Sequence, residues 1–136
     1  TADCPLIDPN LIDSCIKLHF KKKVDYTSNV LKLSFPDGLD VEVFKLNSLI
    51  RSQNLSKTNF NKEHVTNFIR KSKKFKKYSF KNFKNYSNRR WTLDNFNDFL
   101  YIRNVVNFFS PNLYFSWEDL IKAEKNDISL INIKER

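Results

Sequence analysis

After Asp8-Pro9, apolar residues recur at helical spacing. Leu11, Ile12, Cys15, Ile16 and His19 fall on one face of a helix expected to end near Lys21-Lys22-Lys23. Asp8 suits the cap and Pro9 the first turn. Asp25 to Leu31 reads as extended, and Pro36-Asp37-Gly38 as a turn. Val41, Val43 and Leu46 alternate with Glu42 and Lys45, predicting a strand over 39–46. A short helix is expected from Asn47 or Ser48 to about Asn54, and another from Lys62 to Lys71 with Val65, Phe68 and Ile69 inward. Tyr78 and Phe80 alternate with lysines, as in an amphipathic strand. Arg90 to Leu93 is a short extended piece. Asp94 to Phe109 carries the widest apolar stripe: Phe96, Phe99, Leu100, Ile102, Val105, Val106 and Phe109. Ser116 caps a last helix, with Glu118 and Asp119 in its first turn. Helices alternating with strands predict an α/β fold.

Composition narrows the class. A chain of 136 residues, 40% hydrophobic and 15% aromatic, suits one domain over 1–136. Thirteen Phe argue against disorder. The uncharged stretch Asn104 to Trp117 is too short and polar to span a bilayer, and no signal peptide is visible. No membrane association is expected. Cys4 and Cys15 read as reduced thiols of a cytoplasmic protein. The absence of Met suggests that the chain is processed or is an excerpt of a longer one. With Gly38 as the only glycine, no Gly-rich phosphate cradle exists within these residues.

The net charge of +9 is local. Ten Lys or Arg and no acidic residue lie between Arg70 and Arg90, and the remainder is almost neutral. Phe75, Tyr78, Phe80, Phe83 and Tyr86 are interleaved with them. This segment, 70–90, admits two readings. One is a non-enzymatic module binding a polyanion or nucleic acid, with Lys on phosphates and rings under bases. The preferred one is an amphipathic strand coated by lysine, with nucleic acid not expected as a partner. A basic patch that raises the local concentration of an anionic substrate lies between them.

Few residues can run chemistry. No Ser sits in a nucleophile elbow, and neither the two Cys nor His19 and His64 have metal spacing. Carboxylates in unusual settings remain. Asp3 stands at an expected strand end before the first helix, Asp37, Asp40 and Glu42 surround Gly38, and Asp94 follows Trp91-Thr92-Leu93. Carboxylates at strand ends of an open α/β sheet lie where such sheets bind ligands. One or two of them, with waters and substrate phosphates, suit Mg²⁺. Asp3 and Asp94 are therefore candidate ligands for one metal, against the alternative that both are helix N-caps.

Several segments follow one another in a known order: Thr1-Ala2-Asp3-Cys4-Pro5-Leu6-Ile7-Asp8-Pro9, Ser28-Asn29-Val30, and Phe35-Pro36-Asp37-Gly38-Leu39-Asp40-Val41-Glu42-Val43-Phe44. Glu63-His64-Val65-Thr66, Arg90-Trp91-Thr92-Leu93-Asp94 and Phe115-Ser116-Trp117-Glu118-Asp119 complete it. Together they resemble the C-terminal part of the spore coat polysaccharide biosynthesis protein F family. That family is related to the cytidylyltransferases that activate acylneuraminate and 3-deoxy-manno-octulosonate sugars. Two departures are Ala2, where the family usually has Gly, and Asn95-Phe96-Asn97-Asp98, where it usually has Thr-Pro-Glu-Asp.

The resemblance implies part of a three-layer α/β/α nucleotide-diphospho-sugar transferase fold of the GT-A-like type, lacking its N-terminal nucleotide-binding segment. It implies a nucleotidyltransferase in which a sugar or sugar acid attacks CTP, releasing pyrophosphate with Mg²⁺. Asp3 and Asp94 match the metal-binding, catalytic positions; Asn29, Asp37, Asp40 and Glu42 match the sugar side. Glu63 and His64 match a motif near the site. Family members that dimerise extend the expectation to a homodimer. With the CTP cradle lying before Thr1, the isolated chain is expected to show little or no transferase activity, and its sheet to expose an edge where upstream strands would pair. Substantial pyrophosphate release by the isolated chain would refute this.

Overall fold

A computed structural model describes residues 2–56, 58, 60, 64 and 66–127. Helix α1 spans Pro9–Lys22, followed by β1 (Tyr26–Ser28), β2 (Glu42–Phe44), α2 (Leu46–Leu55), α3 (Asn67–Lys71), β3 (Lys77–Ser79), α4 (Phe96–Phe109) and α5 (Trp117–Asn126). The described residues thus form a small mixed α/β structure with a three-stranded sheet and five helices. They divide into two compact units. Of the described residues, unit 1 comprises 2–10, 36–39 and 86–127, and unit 2 comprises those within 11–35 and 40–85.

Unit 2 holds the sheet, ordered β2-β1-β3. The central strand β1 pairs antiparallel with β2 (Tyr26 opposite Phe44) and parallel with β3 (Tyr26 opposite Lys77). Asp25 joins all three just before β1. Its amide donates to the Lys76 carbonyl at 2.9 Å, its carbonyl accepts from the Lys45 amide at 3.2 Å, and its carboxylate accepts from the Lys76 amide at 2.9 Å. That last bond, outweighing burial, holds the Asp25 carboxyl below its ordinary range. Tyr26, Ile69 and Phe75 form the core, with Leu31, Phe44, Leu55 and Phe68 against it.

The end of α1 falls where the lysine run predicts, with Lys23 in the left-handed region at φ 50°. On its inner face Leu11, Cys15 and His19 are buried, and His19 Nδ1 lies 3.1 Å from the Thr27 hydroxyl. The strand expected over 39–46 is cut to Glu42–Phe44, because Leu46 begins α2 and is exposed. The expected helix over 62–71 is described only as Asn67–Lys71; Lys62 and Val65 lie outside the described residues. In the basic run Phe75 is buried, Phe80 packs on Phe35 at 5.1 Å, and Tyr78 is half-buried. Lys22 stands over the Tyr78 ring at 4.8 Å, and Lys77 Nζ donates to the Arg70 and Ser72 carbonyls. Of the five interleaved rings, Phe83 alone is fully exposed.

Unit 1 is built around α4 and α5. Both begin with the capping box that their sequences encode: Asn95 with Asp98, and Ser116 with Asp119. The Ser116 and Lys122 contacts pull the Asp119 carboxyl down to about 2. On α4, Asp98, Tyr101, Ile102 and Val105 are buried, whereas Phe96, Phe99 and Val106 of the expected stripe are exposed. Three of the seven residues of that stripe are therefore exposed in this unit.

The unit's centre is Glu124, which is buried. Its Oε1 accepts from the Trp91 indole at 3.0 Å and from the Tyr101 hydroxyl, and its Oε2 lies 3.4 Å from Arg89 Nε. Burial, together with this carboxylate, pushes the Tyr101 hydroxyl well above its ordinary range. Replacing Glu124 with Ala strands two buried donors and a cation. The expected loss is about 3–5 kcal/mol of unfolding free energy, measured by urea denaturation. Glu124→Gln keeps one acceptor and should cost distinctly less.

Candidate active site

Three backbone segments of unit 1 converge. The Asp37 amide donates to the Arg89 carbonyl at 2.9 Å, and the Trp91 amide donates to the Asp37 carbonyl at 2.7 Å, an isolated parallel bridge of Asp37 with Arg90. Two residues on, the Leu93 amide donates to the Asp3 carbonyl at 2.8 Å. Residues 89–93 are thus clamped between the turn at 37 and the turn holding Asp3, and Asp94 follows one residue past the Asp3 bond.

Gly38 allows this approach. Its φ is 98°, and a Cβ there would lie 2.7 Å from the Trp91 carbonyl carbon and 2.9 Å from the Thr92 nitrogen. The turn expected at Pro36-Asp37-Gly38 is present, and its glycine serves close backbone packing.

The helix-cap alternative fails for both candidate metal ligands. Asp8, five residues after Asp3, accepts from the Asn10 amide at 2.7 Å at the head of α1; its other oxygen accepts from the Trp117 amide at 3.0 Å. Asn95, not Asp94, caps α4. Asp3 is half-buried in a turn, not at a strand end, and the Asp94 carboxylate is half exposed.

Arg90 organises the acidic groups of this unit. Its Nη2 donates to Asp94 and, at 2.9 Å, to Asp98, and its Nη1 lies 3.8 Å from Asp37. Asp98 Oδ2 also accepts from the Asp94 amide at 3.0 Å and the Asn95 amide at 3.3 Å. Burial alone would raise the Asp98 carboxyl; Arg90 and these amides outweigh it and hold the group below the usual carboxylate range. The same pairing, Asp98 first and then Asp94, raises the Arg90 guanidinium. Sequence reasoning does not single out Arg90 or Asp98. The Asn95-x-x-Asp98 capping spacing was the readable signal for the second.

The remaining candidates lie as follows. Asp37, in unit 1, is exposed. In unit 2, Asp40 is exposed, whereas Asn29 and Glu42 hold the unit together. Asn29 is buried, and its side-chain oxygen accepts from the Val41 amide at 2.8 Å. Glu42 accepts from the Tyr26 hydroxyl and from Thr66 Oγ1, the latter at 3.0 Å to each oxygen. His64 is exposed, with its ring centroid 4.4 Å from that of Phe60; Glu63 lies outside the described residues.

Among the described residues, no group of three or more His, Cys, Asp or Glu side chains is disposed to hold a metal ion. A two-carboxylate site completed by substrate phosphates and water needs no such group. Asp3 and Asp94 supply two carboxylates of the kind such a site uses; the Asp3 backbone is bonded to Leu93, next to Asp94, and the Asp94 carboxylate is paired with Arg90. No helix among the described residues is long and apolar enough to cross a membrane.

Comparison with known proteins adds one result. Over its whole length the chain matches the structure of a cytidylyltransferase from Leptospira borgpetersenii serovar Hardjo-bovis (strain JB197), with a TM-score of 0.91 and 27% identity. The match covers 100% of this chain and 57% of that one, so the chain spans little more than half of its neighbour's length. The architecture therefore matches a cytidylyltransferase fold. No family model and no curated protein matches the sequence.

The Asp98 carboxylate yields a prediction for acid stability. Its folded pKa lies below the unfolded value of about 3.9, so its contribution is full above that value and is lost as pH falls through the folded pKa. Asp98→Asn should lower stability at pH 7 and flatten the decline below about pH 4, read from urea midpoints across a pH series.

Proposed function

We propose that the chain is the C-terminal portion of a single CTP-dependent nucleotidyltransferase domain of the spore coat polysaccharide biosynthesis protein F type. In this reading the whole protein is a cytoplasmic, dimeric enzyme with a three-layer GT-A-like fold, activating a sugar or sugar acid for surface polysaccharide synthesis. The observation that carries it is the full-length match to a cytidylyltransferase at a TM-score of 0.91 and 27% identity. The placement of Asp3 beside the segment that ends in Asp94 adds support.

The reaction joins a sugar hydroxyl oxygen to the α-phosphorus of CTP and breaks the bond from that phosphorus to the bridging oxygen. Pyrophosphate leaves, and the hydroxyl proton is lost to solvent. Such chemistry asks the protein chiefly for positioning and charge neutralisation. Asp3 and Asp94 would hold Mg²⁺, which when bound offsets the charge on the reacting phosphates. Asp37, in unit 1, presents an exposed carboxylate suited to a sugar hydroxyl. Asn29 and Glu42, committed to their own unit, would act by fixing the β1–β2 pair. The CTP cradle is assigned to residues outside this chain.

Pyrophosphate release by the full-length protein tests the reading, with each nucleoside triphosphate offered to a panel of sugar acids and amino sugars, with and without Mg²⁺. Release should require CTP and Mg²⁺. It should fall by about a hundred-fold or more in Asp3→Asn and in Asp94→Asn. A folded protein that releases no pyrophosphate with any pair would overturn it.

A further inference from the structure

The arrangement around Arg90 is asymmetric in a way that bears on cation binding. One nitrogen, Nη2, serves two carboxylates of opposite character: Asp98, with a side chain 7% exposed, and Asp94, at 50%. Asp98 is further fixed by the Asp94 and Asn95 amides. Asp94 meets Arg90 through Oδ2, on a flank open to water.

We infer that Arg90 is a displaceable counter-cation for Asp94: without a divalent ion its guanidinium neutralises that carboxylate, and an ion arriving at Asp94 shifts it onto Asp98 and Asp37. This rests on the reading of Asp94 as a metal ligand. A guanidinium and a divalent ion compete for the same carboxylate oxygens. An ion pair as exposed as Arg90–Asp94 is weak in water and readily exchanged. Stripping the buried Asp98 of its cation would be costly, and the exchange avoids it, because Arg90 keeps that partner. Nor does the site lose its shape. The backbone of Asp94 is held by Asp98 and its neighbour Leu93 by Asp3, independently of the Arg90–Asp94 contact. Asp37, 3.8 Å away and exposed, stands ready as a second acceptor. Arg90 is thus a positioning residue whose removal should favour the ion.

Mn²⁺ binding to the full-length protein, followed by the loss of its free spin-resonance signal, tests this without turnover. Arg90→Gln should tighten binding by about two- to five-fold, the range expected for removal of one exposed competing charge. Arg90→Lys should stay near the parent protein. In the unaltered protein with isotope-labelled arginine, the Arg90 guanidinium resonances should shift as Mg²⁺ is added, saturating with the ion. That measurement decides the matter where Arg90→Gln fails to fold. Resonances unmoved at saturating Mg²⁺, or a folded Arg90→Gln that binds Mn²⁺ no more tightly, would overturn the inference while leaving the Asp94 reading intact. Mn²⁺ binding unaffected by Asp94→Asn would instead overturn that reading, and the inference with it.

Discussion

Unit 1 depends on how closely the backbone at Gly38 approaches the backbone of Trp91 and Thr92. Any side chain at position 38 would place a carbon 2.7 Å from the Trp91 carbonyl carbon, and the φ of 98° is itself unfavourable for other residues. Because that approach is allowed, Asp37 can exchange hydrogen bonds with Arg89 and Trp91, and residues 89–93 lie extended with Asp3 bonded at their far end. The chain has one glycine, and it stands where the candidate site needs two backbones in contact.

From that clamp the electrostatics follow by the period of an extended chain. Successive side chains point to opposite sides. Arg89 and Trp91 both reach the buried Glu124, and the residue between them, Arg90, meets Asp37, Asp94 and Asp98. Two neighbouring arginines thus do unrelated work. The first neutralises a buried carboxylate that holds α5 through Trp91 and Tyr101. The second faces the open carboxylates. Each arginine thus supplies a cation to the acidic groups on its own side of the segment.

The basic run shows how a strong compositional signal is absorbed by local structure. Its rings are mostly used inside the protein: Phe75 in the unit 2 core, Phe80 on Phe35, and Tyr86 on Trp117 within unit 1. Lys77 caps the end of α3, and Lys22 lies over Tyr78. What remains is a lysine-coated segment with one exposed ring, Phe83. That matches an amphipathic strand better than a base-stacking platform, which needs several open rings.

Periodicity and capping chemistry alone located most of the helices. Asp8-Pro9 and Ser116-x-x-Asp119 act within one turn of chain, so they are legible locally, whereas the cap of α4 falls on Asn95, one residue past the Asp94 that the sequence offered. The order of motifs likewise pointed to a cytidylyltransferase, in line with the fold match. What sequence could not supply was partnership across long separations. Asn29 and Glu42, which the resemblance matches to the sugar side, bind Val41, Tyr26 and Thr66 within unit 2. The sequence shows the wide apolar stripe on α4 but not which part of it is covered. Arg90 was one of ten basic residues in a run, and only the fold brought it to Asp37, Asp94 and Asp98. Local patterns encode where backbone dihedrals change. Which charges meet is decided by packing, because burial and pairing energies act between residues that the chain order keeps apart.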